Sequence, residues 1–294
     1  MKNLIVNADD LGWTEGVNRG IAEAHRNGII TSTSLLANGC AFQGGVQTAR
    51  ESPRLGVGVH LNLSDGKPVA PPEVVKSLLG EDGEFSGGPE SLLFRLTTKN
   101  LDTKEVELEW GAQIAKVQAA GVRPTHLDGH KHVQMLPGLF AIALRLAKRH
   151  GIAAVRVSHE SSRLRSALTG GDESTRVILK QGVQARGLKF LAPDAHAMAE
   201  RSGIATADFF CGIAQTGVLS KAGVLQLLAS LPEGTTELMC HPGYADTELQ
   251  KTATRLQNSR QTELQILTDK EIRKSIAALG IRLINYEQIG TLGT

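Results

Sequence analysis

Short apolar runs rich in β-branched residues alternate along the chain with longer stretches in which apolar residues recur every three or four positions. The short runs fall at 4–8, 33–37, 57–63, 125–128, 154–157, 209–213, 237–240 and 282–285 and predict eight strands. The longer ones, at 15–27, 43–51, 103–120, 138–150, 174–186, 219–230 and 260–279, predict helices, several of them closed by a glycine such as Gly28, Gly121 or Gly151. Strand and helix taking turns is the pattern of repeated βα units on a parallel sheet. The expected fold class is therefore α/β, an irregular or incomplete (β/α) barrel with parallel strands, with an open doubly wound sheet as the alternative.

Two segments break the rhythm, 64–102 and 158–207, and are expected to be long loop insertions in a single domain covering 1–294. Loops of that length in a compact domain usually cover or contact a substrate.

Chemistry-bearing residues gather where the predicted strands end. The first strand ends in Asn7-Ala8-Asp9-Asp10-Leu11-Gly12. Neighbouring strand residues face opposite ways, so both carboxylates reach one pocket only if the backbone turns there, which Gly12 permits. A turn with an N-cap for the following helix is the competing reading of the pair. His60 closes the apolar run of the third strand, where a lone histidine is more often a hydrogen-bonded core residue than a ligand.

The fourth run carries His126, Asp128, His130 and His132 at alternate positions, which predicts one shared face. At ~3.3 Å per residue, His126 and His130 stand roughly 13 Å apart, too far to bind one ion together. The pocket is expected at the strands' C-terminal ends, so His130 is the best ligand. Asp128 and His132 are then expected behind it or facing substrate, and His126 in a buried structural role. His241 ends the seventh strand before Pro242-Gly243. Four separate strand ends thus deliver His or Asp to one rim, which chance explains poorly. Trp13 and Tyr244 follow site residues closely and are candidates for stacking on a sugar ring, against the plainer reading of half-buried packing aromatics.

Composition narrows the partners. With 32 basic against 30 acidic side chains and 4% aromatics, the chain has neither the field nor the stacking surface of a nucleic-acid binder. Cys40, Cys211 and Cys240 are odd in number and widely spaced, which argues against a disulfide framework or a cysteine zinc site. No apolar run approaches the ~18 residues of a membrane span, and the start of the chain lacks the apolar core of a signal peptide. A cytoplasmic protein is expected; a homo-oligomer is left open. Walker A, G-x-G-x-x-G and Gly-x-Ser-x-Gly signatures are absent from the places where they would act.

These residues resemble the YdjC-like carbohydrate deacetylases, the family of chitooligosaccharide deacetylase and the hopanoid-biosynthesis deacetylases. The resemblance runs over nearly the whole length. It rests on Asn7-Ala8-Asp9-Asp10-Leu11-Gly12, Gly28-Ile29-Ile30-Thr31-Ser32-Thr33-Ser34, Gly58-Val59-His60-Leu61 with Gly66-Lys67-Pro68, His126-Leu127-Asp128-Gly129-His130-Lys131-His132 and Met239-Cys240-His241-Pro242. It implies a modified barrel with one divalent ion, Asp10, His60 and His130 as its ligands, Asp9 as catalytic base and His241 as general acid. The substrate it implies is an N-acetylated sugar, free or carried on a lipid. The chain departs from the family's pattern at Leu11, usually phenylalanine, and at Gln134, often histidine.

The ion is Mg2+ or Zn2+: magnesium is the family's common assignment, whereas two imidazoles and a carboxylate suit Zn2+, Fe2+ or Co2+ better. Competing readings are a glycoside hydrolase, a metal phosphoesterase and a barrel that binds sugar without turning it over. The first needs two carboxylates flanking a glycosidic bond, an awkward task for adjacent Asp9 and Asp10, and leaves the histidines unexplained.

Overall fold

The computed structural model describes residues 1–164, 187, 190, 194–252 and 254–289; the expected helix at 174–186 lies outside them. The described strands are β1 (Lys2–Leu11), β2 (Ser32–Leu35), β3 (Gly56–Leu61), β4 (His126–Gly129), β5 (Ala154–Val155), β6 (Phe209–Cys211), β7 (Gly234–Cys240) and β8 (Arg282–Leu283). Each falls on one of the predicted runs. They form one sheet in the order β5-β4-β3-β2-β1-β7-β6, with β8 beside β1 and every pairing parallel.

The sheet curls without closing regularly. While β7 pairs along one edge of β1 from Lys2 to Ala8, the other edge is split: β8 takes Asn3 and Leu4, and β2 begins at Asn7. At the seam between the edge strands there are, among the described residues, only isolated parallel bridges, Ala154 with Ala205 and Glu160 with Phe210. Backbone bonds from Val155 to Ala205 (3.0 Å) and from Ser161 to Phe210 (3.0 Å) hold it. The result is the incomplete (β/α) barrel rather than the open doubly wound sheet.

The period of two along each strand sorts residues into two layers. Leu4, Val6 and Ala8 of β1 face outward into the large core shared with the helices, as do Val57, Val59, Leu127 and Val155. Ile5 faces inward and meets Ala154, Ile284 and Tyr286, an apolar plug. Above the plug the inward positions are polar and buried: Asn7, Asp9, Ser34, His60, Asp128, Arg156 and Glu237. At roughly 1.5–3 kcal/mol per fully buried large apolar side chain, the outer layer carries the stability that lets the interior hold charge.

The helices have readable starts. Thr14 caps Glu15–Asn27 by accepting from Val17 N (3.3 Å), Asp102 caps Thr103–Ala119 through Lys104 N (2.8 Å), and Ser220 caps Lys221–Ser230 through Gly223 N (3.1 Å). The predicted helix at 260–279 is two, Asn258–Leu267 and Lys270–Ala278. It breaks because the Asp269 carboxylate accepts from Glu271 N (2.7 Å) and starts a new helix.

The segment at 64–102 is not a bare loop: it holds the helix Pro89–Thr97 and two short 3-10 turns, Pro72–Val74 and Lys76–Leu78. Its root is tied to the helix Thr103–Ala119, where buried Glu109 accepts from Val69 N (2.9 Å) and Ala70 N (2.8 Å). Within 158–207, the described part includes the helix Ala195–Arg201. Among the described residues no helix is long and apolar enough to cross a membrane.

Candidate functional site

At the C-terminal end of β1 the pairing with β2 slips between Ala8 and Leu11. The slip is made by Asp10, whose φ of 73° is left-handed; Gly12, at 87°, turns the chain again. Aspartate tolerates that region better than most residues with a side chain. The irregularity brings Asp9 and Asp10 into one pocket despite their adjacency, so the turn expected at Gly12 begins two residues earlier. Thr14, not either aspartate, caps the helix that follows.

Asp10 Oδ1 lies 3.1 Å from His130 Nδ1 and 3.5 Å from His60 Nε2. One ligand atom from each of Asp10, His60 and His130 falls within 4.8 Å of the others, and all three side chains are buried. Four ligands at ~2.1 Å around an ion in a tetrahedron are separated by about 3.4 Å, so the two short distances match a common cation. A second trio, Asp9, His60 and Asp128, is equally close. It already has its cation: Arg156 donates to Asp9 Oδ2 (2.8 Å) and Oδ1 (2.7 Å) and stands 2.9 Å from Asp128 Oδ2. The donor chemistry therefore fits a divalent ion at the first trio.

The electrostatics agree. Burial works against charge at Asp10, yet Arg260, 2.5 Å from Oδ2, and His130 outweigh it and hold the carboxyl well below its ordinary range. Burial also opposes ionisation of Asp9, but Arg156 and His60 keep it below the usual value. At His130 burial would lower the pKa, but contacts with Asp10 and Asp65 push it up to about 9. Glu237 is pushed up to about 6 by burial, against the pull of Arg156 (2.8 Å) and Tyr286, whose hydroxyl donates to it.

The other expected residues separate. Asp128 Oδ1 stands 2.8 Å from His60 Nδ1, turning Nε2 of that ring toward Asp9 and Asp10, while Ser34 Oγ donates to Asp128 Oδ2 (2.5 Å). His126 shares the inward face with Asp128 but stacks on Tyr286 at 3.8 Å between ring centroids, away from the trio. Strand β4 ends at Gly129, so the alternation expected through His132 stops there. Residues His130–Met135 form a 3-10 turn with Lys131 (φ 53°) and His132 (φ 59°) left-handed. His132 is thereby aimed at Ser158 Oγ (2.9 Å) and the edge of Phe210. Gln134 donates to the same serine oxygen (3.2 Å).

His241 is buried at the end of β7, its backbone N donating to Glu263 (2.5 Å) and its Nδ1 without a hydrogen-bond partner among the described residues. Burial pushes its ring down to about 4, against the pull of Asp10 and Asp9. Trp13 tilts over His130 with 5.2 Å between ring centroids, at the pocket. Tyr244 faces the helix Glu15–Asn27 instead: its hydroxyl donates to Glu23 and Arg19 lies over its ring.

Arg156, Arg260, Glu237 and Asp65 were not anticipated. Arg156 and Glu237 did carry a signal, a charged residue inside an otherwise apolar predicted strand. Arg260 carried none, because nothing local to a helix shows that its side chain will reach β1.

The model of the family described as YdjC-like protein matches residues 3–278. A carbohydrate deacetylase from Thermoanaerobacter pseudethanolicus is 32% identical over 97% of this chain and 98% of its own. A chitooligosaccharide deacetylase from Salmonella paratyphi B is 33% identical over 95% of this chain and 96% of its own. Among solved structures, an Enterococcus faecalis protein ascribed to cellobiose-phosphate cleavage is 32% identical, covers 98% of both chains and superposes with a TM-score of 0.76.

Proposed function

The chain belongs to the YdjC-like protein family, and from that premise we propose that it hydrolyses the acetamide of an N-acetylated sugar, releasing acetate and a free amine, with residues 1–294 working as one catalytic unit. The observation that carries this reading is the buried trio of Asp10, His60 and His130 with the Asp9 carboxylate alongside, 3.9 Å from His60 Nε2. The names of the carbohydrate deacetylases it resembles support the substrate class.

Asp10, His60 and His130 would hold a divalent ion, whose chemistry there would be to polarise an amide oxygen and acidify a water molecule. Asp9, locked by Arg156, accepts the proton of the attacking water. The proton taken from the water is the one the departing nitrogen needs, and His241, whose ring feels the charges of Asp10 and Asp9, would relay it from Asp9 as the C–N bond breaks. Trp13 walls the pocket beside His130 and offers an apolar face to the acetyl methyl or the sugar ring. The substrate is an N-acetylglucosamine-containing oligosaccharide or glycolipid, and the ligand set favours Zn2+, Fe2+ or Co2+ over Mg2+.

The test is acetate release from chitobiose and longer N-acetylglucosamine oligomers by chelated protein, alone and with each ion restored. Acetate that appears only with an ion, from sugars that keep their length, supports the proposal. Shortened sugars, phosphate release from phosphate esters, or sugar binding without acetate under every ion would each replace it with one of the competing readings.

A further inference from the structure

The two histidines of the trio turn different nitrogens toward Asp10, and each has its second nitrogen against another carboxylate. His60 faces Asp10 with Nε2 and Asp128 with Nδ1, at 2.8 Å. His130 faces Asp10 with Nδ1, and its Nε2 stands 3.2 Å from Asp65 Oδ2. The first arrangement is built by neighbouring barrel strands. The second is built by the root of the 64–102 segment, which no strand supports.

That root is nonetheless firmly held. Asp65 N donates to Asn62 Oδ1 (3.3 Å), and Asp65 O accepts from Asn38 Nδ2 (2.9 Å) and Asn62 Nδ2 (2.8 Å). Asn62 is fixed in turn by Gln113, which accepts from its backbone N (2.9 Å) and donates to its carbonyl (2.8 Å). Just beyond, Glu109 takes the backbone N–H groups of Val69 and Ala70. The carboxylate of Asp65 is thus delivered to His130 by a fixed frame.

We propose that Asp65 is a positioning residue for the ion site: it keeps the proton of neutral His130 on Nε2 and so leaves Nδ1 as the donor facing Asp10. This rests on the ion-binding part of the function proposed above. A neutral imidazole carries one proton, and the nitrogen next to a carboxylate retains it, which fixes the tautomer and raises the basicity of the other nitrogen. Asp128 is placed to do this for His60 through the opposite nitrogen. The 3.2 Å contact between His130 Nε2 and Asp65 Oδ2 is close but not aligned as a hydrogen bond. Lys131 Nζ shares the same oxygen at 2.6 Å, balancing the charge of Asp65 at the pocket mouth.

The experiment is Zn2+ titration of the chelated full chain against a chromophoric competitor, for the parent, D65A, D65N and K131A, with folding checked by circular dichroism. The expected result is a loss of Zn2+ affinity of about 10–100-fold in D65A, a smaller loss in D65N, which keeps the loop's shape, and little change in K131A. In the Zn2+-loaded parent, side-chain 15N spectra should show His130 with its proton on Nε2, a signal that D65A and D65N shift or broaden. Parental affinity and an unchanged spectrum in D65A and D65N would overturn the proposal. So would a loss in K131A as large as that in D65A, which would make the loop tether the cause. A parent that binds no Zn2+ fails the ion site and this proposal together. A parent that binds Zn2+ but releases no acetate fails only the deacetylase reading.

Discussion

Arg156 holds Asp9 with both prongs of its guanidinium, Nη1 to Oδ2 at 2.8 Å and Nη2 to Oδ1 at 2.7 Å, with both side chains buried. The same cation lies 2.9 Å from Asp128 and 2.8 Å from Glu237. One arginine therefore compensates three buried acids, and it connects the proposed base, Asp9, to the carboxylate that orients His60. A bidentate clamp exchanges some basicity of Asp9 for a fixed position, a favourable exchange when the proton to be taken comes from an already acidified water.

Arg156→Met should leave these three acids buried without their shared cation, at a cost of about 3–5 kcal/mol. Arg156→Lys keeps the charge but not the planar fork, so it should remain folded while kcat for acetate release falls about tenfold or more, equivalent to about 1.4 kcal/mol of barrier. Urea denaturation and acetate assays separate the two effects. A lysine variant with the parental rate would show that the two-pronged geometry is unimportant.

Asp9→Asn should lower kcat by ~10²–10⁴-fold, the usual worth of a general base. Zn2+ affinity should change little, because Asp9 lies outside the trio. The joint measurement is decisive: loss of rate and metal together would place Asp9 among the ligands, and retention of rate would remove it from catalysis.

Burial pushes the His126 ring down to about 3, against an unfolded value of ~6.5. Since the folded value is the lower one, the unfolded chain takes up the proton first. The ring's stabilising contribution is complete above ~6.5 and is lost as pH falls from there toward 3, at about 1.4 kcal/mol per pH unit. His126→Phe keeps an aromatic ring against Tyr286 but cannot titrate. The stability of the parent minus that of the variant should be constant above pH ~7 and decline below pH ~6, measured by denaturation at a series of pH values. Parallel curves down to pH ~4 would mean that the buried ring is charged in the folded protein.

The eight strands were legible because each is a short apolar run between turn residues, and the site was legible because its acids and histidines close such runs. What escaped depended on backbone irregularity or distant contact. Strict alternation placed His132 on the face of Asp128, but two left-handed residues, Lys131 and His132, end that alternation. Tyr244 follows His241 closely in the chain, yet Glu23 and Arg19 claim its ring. Asp269 was a readable N-cap inside a periodicity that ran through it. Arg260 meets Asp10 across 250 residues, a relation no local pattern encodes.

Gly20 and Gly111 sit in helix interiors, where alanine is intrinsically favoured by about 0.8–1 kcal/mol, yet the two substitutions should have opposite signs. A Cβ on Gly111 would find Leu146 Cδ2 at 3.8 Å, an ordinary contact, so Gly111→Ala should stabilise by about 0.5–1 kcal/mol. A Cβ on Gly20 would fall 2.6 Å from the Cα of Gly243, backbone that cannot easily withdraw. Gly243 N is bonded to Arg260 O (3.1 Å) and Tyr244 N to Gly16 O (3.1 Å), so displacing this turn moves the segment behind His241 and the helix that carries Arg260 to Asp10. Overpacking of this kind costs about 1–3 kcal/mol, which exceeds the gain in helix propensity. Gly20→Ala should therefore lower both stability and the rate of acetate release, whereas Gly111→Ala leaves the rate unchanged. Equal stabilisation by both variants in urea denaturation would show that the turn after β7 yields freely, and that close packing of Gly20 on Gly243 does not hold His241 in place.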